Sequence, residues 1–79
     1  MRILNEVSNQ PLKNVTLYLT LAEARELQDS LAEIIKIKEN YHAHISSDDY
    51  QKEITVCVYD EKKLNGFDER SKKLILFDE

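Results

Sequence analysis

His42 and His44 stand two positions apart in HAHISSDDY, residues 42 to 50, a run that also holds Asp48, Asp49 and Tyr50. On an extended chain, residues two apart share a face, so the two imidazoles would lie side by side. Paired imidazoles are ligands for zinc or nickel. Further ligands would have to come from Cys57, Asp48 or Asp60, and no second motif has ligand spacing. The same residues read equally well as a strand with two exposed histidines running into an acidic turn. No metal and no cofactor is assigned on this pattern; His42 and His44 are where a metal would sit.

Cys57 beside His44 would make a thiolate–imidazolium pair. Catalysis would also need donors for a developing oxyanion. Gly66 is the sole glycine, and the chain has no glycine-rich loop, phosphate-binding loop, dinucleotide fingerprint or nucleophile elbow. The expectation is a protein that is not an enzyme, with Cys57 a packed strand residue.

Acidic doublets recur at Asp48-Asp49, Asp60-Glu61, Asp68-Glu69 and Asp78-Glu79. They fall at turns and ends, where charge is solvated, and none has the alternating oxygens and central glycine of a calcium loop. A sharper reading makes Asp48 and Asp49 phosphate mimics, in an acidic inhibitor or immunity-type protein that blocks a nucleic-acid enzyme. Tyr18 and Tyr59 could stack bases on an open sheet. The net charge of -4 works against that use, and nucleic acid is not expected as a partner.

The elements that must position these residues follow from periodicity. RILNEVS alternates, which predicts a strand near 2–7, and SNQPLKN supplies a turn around Asn9 and Pro11. NVTLYL predicts a strand over 14–19, with Val15, Leu17 and Leu19 on one face and Thr16 and Tyr18 on the other. Thr20 and Glu23 then form a capping box. Ala24, Leu27, Leu31, Ile34 and Ile35 recur at helical spacing, predicting a helix near 20–38 that ends at Lys38 to Asn40 and spans about 27 Å. Strands follow near 42–46 and 53–59. In the tail, 64–79, Asn65-Gly66 marks a turn; residues 67–76 are read as a short amphipathic helix, because ERSKK has no strand character, with LILF as an edge strand the alternative.

The expected fold is α+β: a two-layer sandwich in which a mainly antiparallel four-stranded sheet, in β-β-α-β-β order, covers one long helix. A short C-terminal helix or edge strand follows, and 1–79 forms a single domain. The inward residues would be Val15, Leu17, Leu19, Ala43, Ile45, Ile54, Val56 and Val58. The outward face would then carry Tyr18, His42, His44, Cys57 and Tyr59, a mixture of aromatic, imidazole and thiol groups suited to a surface that is apolar on one side and wet on the other.

At 79 residues a chain buries only roughly 60% of its unfolded surface, so stability is expected to need outside help, such as oligomerisation. One cysteine excludes an intramolecular disulfide and suits a reducing compartment. No secretory signal or membrane span is read, and the expected location is cytoplasmic. These features together predict a small binding module whose partner is a protein, self-associating through the open sheet face built on Tyr18, His42, His44, Cys57 and Tyr59. A metal- or small-ligand-binding module using His42, His44 and Cys57 is the alternative.

Overall fold

The computed structural model describes residues 1–37 and 41–79. The chain runs β1 (Leu4–Asn5), β2 (Gln10–Pro11), α1 (Leu21–Ile37), β3 (Tyr41–Ser46), β4 (Glu53–Val58) and α2 (Glu69–Phe77). The expected helix end at Lys38 to Asn40 lies outside the described residues. The chain groups into two compact units, one of residues 1–17 with 64–79, the other of residues 18–63.

In the second unit, α1 begins as its capping box predicts. The Thr20 hydroxyl accepts from Glu23 N–H at 3.2 Å, and the Glu23 carboxylate accepts from Thr20 N–H at 2.8 Å. Glu23, Leu27, Ser30 and Ile34 follow at steps of three and four, the spacing of one helix face. Ile34 is 1% exposed and Glu23 is buried, while Ala24 and Leu31 flank them half-buried. Ile35 was expected on this face and is 67% exposed. At about 100° per residue it lies far round from the Glu23–Ile34 line.

β3 and β4 form an antiparallel hairpin with Ala43 opposite Val56, His44 opposite Thr55 and Ile45 opposite Ile54. The predicted division of faces holds except at Val58, expected inward and 39% exposed at the end of β4. Ile45 is 3% exposed, and Ala43, Ile54 and Val56 are half-buried, whereas His42, His44, Thr55 and Cys57 are exposed. α1 lies over β3, much more than over β4.

In the first unit, β1 and β2 are two residues each, with Leu4 opposite Pro11 and Asn5 opposite Gln10. The Asn5 side-chain oxygen accepts from the N–H groups of Val7 and Ser8 at 3.0 and 3.1 Å, folding the chain back at once. The strand expected near 2–7 is thereby cut short. Pro11, expected in a turn, sits in β2, which is permitted because each strand of a pair has an open edge. α2 is the short helix favoured for the tail. Asp68 caps it by accepting from Ser71 N–H at 2.7 Å. Leu74 is its buried residue. Arg70 joins it to the hairpin by donating to the Asn9 side-chain and main-chain oxygens, each at 2.8 Å, and to the Glu79 main-chain oxygen. Arg2 donates to the Ile75 carbonyl at 3.2 Å.

The expected single four-stranded sheet is not formed. Two separate two-stranded sheets stand in its place, with α1 between them in the chain. The strand expected over 14–19 joins neither sheet. Among the described residues, none of its N–H or C=O groups takes part in a backbone hydrogen bond. Two causes are visible. The N-terminal hairpin is too short to offer a matching ladder, and one residue, Thr20, separates 14–19 from Leu21 at the start of α1. Strand-to-helix connections usually take about 2–6 residues.

Candidate functional site: the outward face of the β3–β4 hairpin

Of the five residues predicted for the binding face, the hairpin brings three together. His42 and His44 project from β3 with ring centroids 5.1 Å apart, edge to face. Cys57 is the cross-strand partner of His42 and is exposed. Tyr18 lies outside the sheet, in the unpaired 14–19 stretch, and is 94% exposed. Tyr59 lies one residue past β4 and is half-buried.

His44 is held in place by a group that periodicity alone did not single out. Its Nδ1 lies 2.8 Å from Glu53 Oε1 and 2.9 Å from Thr55 Oγ1. Glu53 is diagonal to it and Thr55 directly opposite, so only the strand register discloses the trio. Nδ1 is thereby committed, and Nε2 is the nitrogen left to meet a ligand or partner. Among the described residues, no three His, Cys, Asp or Glu side chains converge as a metal-binding group.

The turn after β3 accounts for the two aspartates. Asp49 Oδ1 accepts from the Ser47 hydroxyl at 2.5 Å and from Gln51 N–H at 3.1 Å. The Ser47 hydroxyl, and then the Gln51 N–H, hold the Asp49 carboxyl below its ordinary value. Asp48 Oδ2 accepts from the Thr20 hydroxyl at 3.0 Å, and Asp48 N–H donates to Glu23 Oε2 at 2.8 Å. Each aspartate thus has one oxygen engaged inside the fold. Glu23 ties the start of α1 to this turn, with one carboxylate oxygen on each. The N–H groups of Thr20 and Asp48 hold its carboxyl below the ordinary value, against a smaller contribution from burial.

Tyr50, at the tip of the turn, has φ of 59° and an exposed ring. A tyrosine in the left-handed region is strained by roughly 1–2 kcal/mol, and no compositional signal in SSDDYQK announces it. Its position puts an aromatic at the end of the hairpin that bears the histidines.

The first unit holds a separate shallow cavity of about 470 Å³ beside β2 and α2. Its cations are already engaged, Arg70 with Asn9 and Glu79, and Lys73 with the Glu79 carboxylate at 4.0 Å. Among the described residues, no helix is long and apolar enough to cross a membrane.

In the comparisons with known proteins, the chain matches no family model, no curated protein and no solved structure.

Proposed function

We propose that this protein is a non-catalytic interaction module whose partner is a protein, in the first place a second copy of itself. The observation that carries this reading is the exposure of Val15, Leu17, Tyr18 and Leu19, four consecutive large apolar side chains but for Thr16. Among the described residues, the backbone polar groups of that stretch are also without a backbone hydrogen bond. Large exposed apolar patches mark association surfaces. The His42, His44 and Cys57 face adds a polar, hydrogen-bonding surface on the hairpin. Histidine and tyrosine suit an interface because each has an apolar body and a polar tip.

Native mass spectrometry over a range of protein concentrations tests the reading. A dimer that disappears on dilution is expected, and Tyr18→Glu should convert it to monomer at concentrations where the unaltered chain is dimeric. A chain that stays monomeric at its highest soluble concentration overturns self-association.

A further inference from the structure

We infer that two copies associate by exchanging strands: residues 14–19 of each copy add to the outer edge of β3 in the other. The inference rests on the self-association reading and specifies its geometry.

The donor and acceptor match in four respects. In length, residues 14–19 are six residues, and β3 is six residues. In hydrogen bonding, among the described residues the donor segment's main-chain groups make no backbone hydrogen bond, and β3 pairs only with β4. Strand addition satisfies both at once. In pattern, Val15, Leu17 and Leu19 would join Ala43 and Ile45 toward α1, and Tyr18 would come to the outward side beside His42 and His44. In charge, neither NVTLYL nor YHAHIS contains Asp, Glu, Lys or Arg, so two chains of net charge -4 meet along an uncharged strip.

The choice of β3 over β4 follows from the helix. A helix that covers a sheet shields most apolar area when it lies over a central strand. α1 lies over β3, which is an edge as the hairpin stands. A third strand on the far side of β3 makes β3 central and would set Val15, Leu17 and Leu19 alongside one flank of α1.

The choice of a second copy over the chain's own hairpin follows from the connection. A strand parallel to β3 would have to reverse into α1 through Thr20 alone, shorter than the roughly 2–6 residues such connections use. Thr20 is also fixed, bonded to Glu23 and Asp48. The choice of exchange over one-way donation follows from size. A single added strand engages six residues on each side, whereas stable interfaces engage about 20–30. Exchange doubles the strand contacts on each copy, adds the flank of α1, and closes with two-fold symmetry.

Cross-linking between distinguishable copies tests the inference. In a Cys57→Ser background, one chain carries Tyr18→Cys and the other His42→Cys or His44→Cys, and the mixture is treated with a short bis-maleimide. A covalent heterodimer is expected with at least one acceptor position. In the unaltered dimer, amide exchange over 14–19 should slow and should speed up again on dilution. Leu17→Pro, which removes one ladder N–H per strand, should raise the dimer dissociation constant roughly tenfold or more. A dimer in which 14–19 exchanges freely, or in which neither cross-link forms, overturns strand exchange while self-association stands. A monomer overturns both.

Discussion

At the scale of single residues, Glu23 concentrates the most structure in one side chain. It is 8% exposed, and it accepts from Thr20 at the helix start and from Asp48 in the hairpin turn. Its folded-state proton affinity is lowered, so the linkage has a definite sign. The contribution is fully present above its ordinary value of 4.5 and is lost as pH falls through the lower folded value. Asp49 and Asp68 are shifted the same way by their Ser47 and Ser71 partners. Glu23→Gln has no proton to gain, and it turns an amide NH₂ toward one of two backbone donors. The variant should melt several degrees lower than the unaltered chain at neutral pH and converge with it at acid pH. Thermal melts from pH 7 down to pH 3 check this, and a constant gap across the range would show that the carboxylate charge is not what matters.

At the scale of elements, the first unit depends on arginine. Arg70 meets Asn9 twice and the Glu79 carbonyl once, and so links the four-residue loop after β1 to α2. Charged donors to neutral oxygens contribute about 1.5–3 kcal/mol each when well shielded; at this half-exposed site about 1–2 kcal/mol in all is the expectation. Arg70→Met should therefore speed amide exchange at Asn9 and Leu12, which donate to Asn5 and Ile3, and leave β3–β4 exchange unchanged. An equal speed-up in β3 and β4 would show that the Arg70 contacts matter beyond the first unit. The Arg70–Asn9 contacts were not readable beforehand, since they join residues 61 positions apart and have no periodic signature.

What was readable was local. The capping box at Thr20 and Glu23, the stripe through Leu27 and Ile34, and the alternation in YHAHIS and EITVCV each arise within a few residues, and each formed. The β3–β4 register followed, because a slip by one would turn Ile45 outward and His44 inward. The segment 14–19 has equally good alternation and formed no ladder within the chain. Alternation records that a stretch can pair, while its partner is set by chain connections and by what else is present. The same gap hid Glu53, whose role depends on register, and Tyr50, whose left-handed backbone is imposed by the turn.

At the scale of the whole molecule, the buried apolar side chains among the described residues are Ile34 and Ile45 in the second unit and Leu74 in the first. So small a core stabilises a chain of 79 residues weakly. Association should then supply a measurable share of stability, and by mass action the melting temperature should climb with concentration, by roughly a few degrees per tenfold increase. Calorimetry across two decades of concentration checks it, and a flat melting temperature would assign the stability to the single chain.

The unpaired stretch 14–19 has one more consequence, which concerns solubility. Val15, Thr16 and Tyr18 are strand-favouring residues, and 14–19 is uncharged and free of proline and glycine, which is the sequence signature of a steric zipper. A single copy therefore displays a segment of that signature whose main-chain groups have no backbone partner among the described residues. If strand exchange covers that edge, weakening the exchange without altering 14–19 should also raise the tendency of the chain to form cross-β aggregates at high concentration, and thioflavin fluorescence checks this.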